Sequence, residues 1–132
     1  MMQLIKQLLK SNFLRILAIG YSLFVTVIML VPVTKGPKVN IPFFDKIVHA
    51  ILYFLFAIIW LLYFRSFGKE SKSVYVLVSI ALFIYGIVIE VLQGSFIATR
   101  THDNWDIVAN ATGIFIGIIV FYKAKDIFLS KK

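Results

Sequence analysis

Hydrophobic positions run along this chain in four long blocks, separated by short stretches that collect most of the charges and turn formers. The first block extends from about Leu14 to Val33, interrupted only by Arg15, and closes on Pro32 and Lys35-Gly36-Pro37. The second runs from Ile47 to Phe64, and the third from Val74 to Leu92 with Glu90 as its one carboxylate. The fourth covers Ile107 to Tyr122 and reaches spanning length when counted from Trp105. Crossing a hydrocarbon core of about 30 Å takes roughly 17 to 25 helical residues, which these blocks supply. None alternates apolar with polar residues as a barrel strand would, so each block predicts a transmembrane helix. The expected fold is an all-α four-transmembrane-helix bundle, one domain over residues 1–132, with spans near 14–33, 47–64, 74–92 and 105–122. A secretory signal is the rival reading of the first block. Its apolar run is longer than a usual signal and has no A-x-A-like cleavage site, so an uncleaved helix is expected.

Composition points the same way. The 132 residues are 61% hydrophobic and 15% charged, whereas soluble domains run at about 50% and 25%, so the chain lacks the polar surface to cover itself in water. The absence of cysteine excludes disulfides, thiolate chemistry and a cysteine-linked lipid anchor.

The 14 Lys+Arg and 6 Asp+Glu, a formal charge of +8, invite a nucleic-acid reading, but the cations are divided among short segments beside the spans. Ten of the 14 (Lys6, Lys10, Arg15, Arg65, Lys69, Lys72, Lys123, Lys125, Lys131, Lys132) fall on one side of a four-span topology. Lys35, Lys38, Lys46 and Arg100 fall on the other. The positive-inside rule then puts both termini in the cytoplasm. Trp60, Tyr63, Tyr75 and Tyr122 come to the inner interface and Trp105 to the outer. Membrane lipids are the expected partners, with no nucleic acid and no cofactor.

The remaining polar residues gather at the outer helix ends. Asp45 and His49 stand one turn apart at the start of the second span, with Lys46 between them. Glu90 and Gln93 share a face at the end of the third, and Arg100, His102 and Asp103 follow in the loop. Asp106, Asn110, Gly113 and Gly117 form one stripe of the fourth helix. The small-xxx-small pair Gly113 and Gly117 permits close helix approach, which turns Asp106 and Asn110 toward the bundle. A carboxylate in lipid costs about 2.5 kcal/mol or more, so Glu90 calls for a partner, and Lys46, Arg100 or a protonated His49 can serve.

Structural readings stand beside these. Asp45 and Asp103 suit helix N-caps, His49 suits a packed histidine bonded to Asp45 or a backbone carbonyl, and Glu90 with Arg100 suits a plain ion pair. Asn110 suits an interhelical hydrogen bond. His102, in the loop, reads as incidental. Asp45, His49, Glu90 and Asp106 offer mixed N/O ligands of the kind zinc or a harder divalent ion accepts, but no HExxH or paired-His motif fixes a geometry. Ser95 has no nucleophile elbow around it.

The ordered set Asp45-Lys46-x-x-His49, Glu90-x-x-Gln93, Arg100, Asp103, Asp106, Asn110 and Gly113 resembles the VanZ-like family of small bacterial membrane proteins, over about Val31 to Gly117. The family takes its name from an accessory protein of glycopeptide resistance associated with lowered teicoplanin susceptibility. The resemblance implies a multi-pass protein of the bacterial cytoplasmic membrane with an envelope role, and it supplies no reaction. Three functions follow as expectations. The first is a protein binding an amphiphile, such as a lipid, lipid-linked precursor or lipoglycopeptide, at its outer polar cluster. The second is a small enzyme on such a substrate, with a carboxylate or His49 as base and Arg100 stabilising negative charge. The third is a proton-coupled transporter component using Glu90.

Overall fold

The computed structural model describes residues 1–2, 6, 10–31, 43–96 and 103–128. Four helices account for nearly all of them: α1 (Ser11–Leu30), α2 (Phe44–Ser66), α3 (Lys72–Phe96) and α4 (Asn104–Phe128). Each is long and apolar enough to cross a membrane, and large apolar side chains such as Ile16, Leu23, Ile51, Ile80 and Phe115 lie exposed on the outside of the bundle. Water would not tolerate that outer surface, whereas lipid tails match it. The chain is an integral, multi-pass, all-α membrane protein.

The helices overrun the expected spans by several residues, except at the end of α1. Helix α1 stops at Leu30, and Val31 is extended (φ −70°, ψ 124°) where the apolar run suggested helix. Its neighbour Pro32 explains the difference, because a proline drives the preceding residue out of the α region. Residues 32–33 of that span lie outside the described residues.

Helix α2 is the hub. It touches α1, α3 and α4, and its contact with α4 is the most extensive in the bundle, while α1 and α4 do not meet among the described residues. Tyr53, Phe56, Ala57 and Leu61 of α2 form the core with Val25 and Met29 of α1, Val78, Leu82 and Ile89 of α3, and Ile114 and Phe121 of α4. Polar atoms at mid-depth are spent between helices. Tyr21 donates to the Leu52 carbonyl at 2.8 Å and Trp60 Nε1 to Ser22 Oγ at 3.2 Å. Tyr85 donates to the Ser22 carbonyl at 3.0 Å and also touches the Thr26 hydroxyl. Trp60 therefore uses its indole N–H inside the bundle. The Ser22/Thr26 spacing on α1, small polar residues one turn apart, is the sequence signal for this seam.

The α2–α3 turn is a Schellman motif. Gly68 takes the left-handed conformation (φ 69°), Gly68 N–H bonds the Arg65 carbonyl at 2.8 Å and Lys69 N–H the Phe64 carbonyl at 3.2 Å. Glu70 then fastens this turn to the end of α4. It accepts from Arg65 at 2.8 Å, from the Tyr75 hydroxyl at 3.0 Å and from Lys125, whose ammonium also lies 4.7 Å from the Tyr122 ring centre. Burial pushes the Glu70 carboxyl up, but hydrogen bonds from Lys125 and Tyr75 and the Arg65 charge outweigh it and hold it below the usual range. A depressed carboxyl contributes stability that is complete above its unfolded value, about 4.3, and is lost as pH falls through the lower folded value. Thermal unfolding in detergent from pH 7 to pH 3 should therefore show an acid loss of up to about 1 kcal/mol that Glu70→Gln removes. An unchanged acid limb in the variant would show that the contact contributes nothing.

Candidate functional site

The end of the bundle opposite that turn is polar, and helix register puts it together. Helices α2 and α4 run parallel with a nearly constant offset. Lys46 meets Asp106, His49 meets Asn110, Ala50 meets Gly113 and Phe54 meets Gly117. The two glycines allow it, since a Cβ on Gly113 would lie 2.2 Å from the Ala50 carbonyl oxygen and one on Gly117 2.8 Å from that of Phe54. Backbone contact at this level is what presses the first turns of α2 and α4 together. Small residues give such approach its dispersion energy in the absence of a hydrophobic drive.

At the rim, Lys46 Nζ is ringed by three carboxylates: Asp45 at 2.5 Å, Asp103 at 2.6 Å and Asp106 at 2.8 Å. Asp103 has a double role. Its Oδ1 accepts the Trp105 N–H at 2.9 Å as the α4 N-cap, while Oδ2 takes Lys46. Asp45 is not a cap, contrary to that expectation. Phe43, left-handed at φ 60°, stands at the α2 N-cap with no side-chain capping bond, leaving Asp45 in the first turn facing Lys46.

One turn deeper, His49 is buried, and its Nδ1 lies 2.9 Å from Asn110 Oδ1. The expected bond to Asp45 or a backbone carbonyl is replaced by this interhelical one, because Asp45 is drawn outward to Lys46. An amide oxygen only accepts, so Nδ1–H is the donor to Asn110 Oδ1, and Nε2 is the ring nitrogen left to other chemistry. Nε2 faces Asp106 Oδ2 at 3.8 Å, and Glu90 Oε1 lies 3.9 Å from Nδ1. Both separations exceed a hydrogen bond. Glu90, 1% exposed, is the most enclosed charge of the set. Gln93, beside it on α3, donates to the Met29 carbonyl at 2.5 Å, satisfying one of the carbonyls that the end of α1 leaves without a helical partner.

Eight of the nine expected site residues are thus gathered from α2, α3 and α4 and the residue preceding α4, with Lys46 at the rim and His49, Glu90 and Asn110 beneath. Arg100, and with it His102, lies outside the described residues. Two members were not anticipated. Tyr53, four residues after His49, is fully buried and its hydroxyl has no hydrogen-bond partner among the described residues. Gly86, four before Glu90, leaves room for both the Asn110 amide and the Tyr53 ring, which lie 3.1 and 3.3 Å from where its Cβ would be. Their one-turn spacing from known members was the available signal.

Donor atoms of His49, Glu90 and Asp106 come within 4.8 Å of one another, as do those of Asp45, Asp103 and Asp106. Away from this end, two apolar grooves of about 310 and 300 Å³ open sideways. One is lined by Phe56, Trp60, Leu82 and Tyr85, the other by Ile80, Phe83, Ile114 and Phe115. Both are lined almost wholly by apolar side chains.

Fold and site together define a four-helix integral membrane protein with an ionisable cluster closing one end. Compared with known proteins, the chain matches no protein-family model, no curated protein and no solved structure.

Proposed function

We propose that this is a VanZ-like protein of the bacterial cytoplasmic membrane, with both termini in the cytoplasm, that binds an amphiphilic envelope ligand at its outer polar end. The observation that carries the reading is the placement of Asp45, Lys46, Asp103 and Asp106 at one rim of a bundle whose flanks are apolar. A lipid, lipid-linked precursor or lipoglycopeptide presents the matching pair of surfaces, a polar head at that rim and chains along the flank. Lys46 is already surrounded by carboxylates, and the Asp45 side chain is 61% exposed. Recognition at this rim therefore favours ligand amines and hydroxyls, which donate to carboxylates.

The test is binding of teicoplanin, and separately of a lipid-linked cell-wall precursor, to the full chain in nanodiscs. At least one should bind, and Asp45→Asn and Asp106→Asn should weaken it by about tenfold, the size of one charge-assisted bond. Folded, membrane-inserted variants with wild-type affinity for every probe, and unchanged teicoplanin susceptibility in cells, would sink the proposal.

A further inference from the structure

We infer that His49, Glu90 and Asp106 form a binding site for a divalent transition-metal ion, with Asn110 as the residue that orients the histidine. Three separate helices each contribute one donor, and a histidine nitrogen and one oxygen from each carboxylate come within 4.8 Å of one another. Donors on one zinc ion, at bond lengths of about 2.0–2.2 Å, stand roughly 3 to 4 Å apart. His49 Nε2 and Asp106 Oδ2 are 3.8 Å apart, too far to bond each other and within the span of a shared ion, while Glu90 Oε1, now 3.9 Å from Nδ1, joins them by turning its flexible side chain toward the Nε2 edge of the ring.

The surroundings have the features of a metal site. A ligating histidine characteristically donates its other ring N–H to a fixed acceptor, which sets tautomer and ring angle. Asn110 Oδ1, 2.9 Å from Nδ1, is that acceptor, and it turns the Nε2 lone pair toward Asp106. Asp106 divides its oxygens, Oδ1 toward Lys46 at 2.8 Å and Oδ2 toward His49, so it can ligate an ion while remaining anchored at the rim. His49 and Glu90 are 4% and 1% exposed, so an ion there would be shielded from water on the bundle side. One nitrogen and two carboxylates suit zinc or manganese, and three protein ligands leave a further coordination position. The neighbouring trio of Asp45, Asp103 and Asp106 is a different case. The Lys46 ammonium stands among those carboxylates, 2.5 to 2.8 Å from each, where a cation would otherwise sit.

This inference rests on side-chain geometry and is independent of the amphiphile, so its test contains none. The full chain, purified in detergent and stripped with a chelator, is titrated with Zn²⁺ alone by calorimetry, and bound metal is counted by elemental analysis. One ion per chain is expected, with loss of at least tenfold in affinity in His49→Gln and Glu90→Gln and little change in His102→Gln and Asp45→Asn. Co²⁺ loading provides a second readout, since the cysteine-free chain should give the absorption of N/O ligation. Asn110→Ala should weaken affinity while leaving the stoichiometry at one. No stoichiometric Zn²⁺ in the wild-type chain, or one ion retained at full affinity by a folded His49→Gln, would overturn the site. Loss on His102→Gln instead would move the ion to the loop and overturn it equally. Zinc binding with no amphiphile bound, or the reverse, separates this inference from the proposed function.

Discussion

Gly113→Ala should yield a protein in which α2 and α4 no longer hold their register, with the largest stability loss of any single methyl added to this bundle. The added carbon would lie 2.2 Å from the Ala50 carbonyl oxygen, 2.9 Å from its carbon and 3.0 Å from Phe54 N. All three are backbone atoms of a helix, so no rotamer change relieves the contact. Restoring an ordinary separation of about 3.5 Å requires the helices to part by roughly 1 Å over the clash. Overpacking costs about 1–3 kcal/mol, and a backbone neighbour puts this case at about 3, beyond the ~1 kcal/mol that alanine gains over glycine in helix propensity. Two further glycines make the prediction a series. At Gly117 the new carbon would meet the Phe54 carbonyl oxygen at 2.8 Å and Ala57 Cβ at 3.1 Å, while at Gly20 nothing lies within 4 Å. Unfolding of the detergent-solubilised variants should rank Gly113→Ala well below Gly117→Ala, with Gly20→Ala, free of any clash inside α1, above wild type by up to about 1 kcal/mol. Equal stability of the first and last would mean that the helices do not touch here. The separation should also break the bond between His49 and Asn110, one turn nearer the rim, so the polar end should lose its ligands together with its packing.

The same close approach shows what was legible beforehand. Span lengths follow from bilayer thickness and are written in the apolar runs of each helix. The stripe of Asp106, Asn110, Gly113 and Gly117 follows from one helix's own periodicity. Which helix that stripe faces does not. Nothing in the period of α4 selects α2, or chooses the offset that pairs Lys46 with Asp106 rather than with Glu90. That choice is made by packing at Ala50 and Phe54, whose apolar side chains carry no label for it. Asp45 illustrates the limit. Its place before an apolar run suits a cap, yet the chain enters α2 through a left-handed Phe43 and the carboxylate goes to Lys46 instead. Val31 illustrates the converse, since Pro32 was visible and its effect on the preceding residue follows from sterics alone. Tyr53 and Gly86 escaped attention because one reads as a core aromatic and the other as an ordinary glycine until the neighbours of each are known.

Lys46→Met should destabilise the protein in a way that depends on pH and is repaired by a second substitution. The ammonium lies 2.5, 2.6 and 2.8 Å from Asp45, Asp103 and Asp106. Methionine keeps much of the stem's volume but leaves the three carboxylates facing each other without that charge. Removing one partner of a fully buried pair costs about 3–5 kcal/mol. Here the carboxylate side chains are 61%, 38% and 13% exposed, so water screens part of the repulsion and a loss of about 2 kcal/mol at pH 7 is expected. Protonating the acids removes the like charges, so the deficit should shrink as pH falls toward about 4. The order of events has a clear sign, with the variant closest to wild type in acid and furthest from it at neutral pH. Asp106→Asn added to Lys46→Met should recover part of the loss, giving a coupling of about 1 kcal/mol in a double-mutant cycle. Lys69→Met, at an exposed position in the α2–α3 turn, should cost almost nothing and controls for loss of a positive charge as such. A Lys46→Met deficit equal at pH 4 and pH 7 would mean that Lys46 acts through packing, and the electrostatic account of the rim would fail. A deficit confined to neutral pH, relieved by Asp106→Asn and insensitive to Lys69, would identify Lys46 as the internal counter-ion that lets three carboxylates share one helix end.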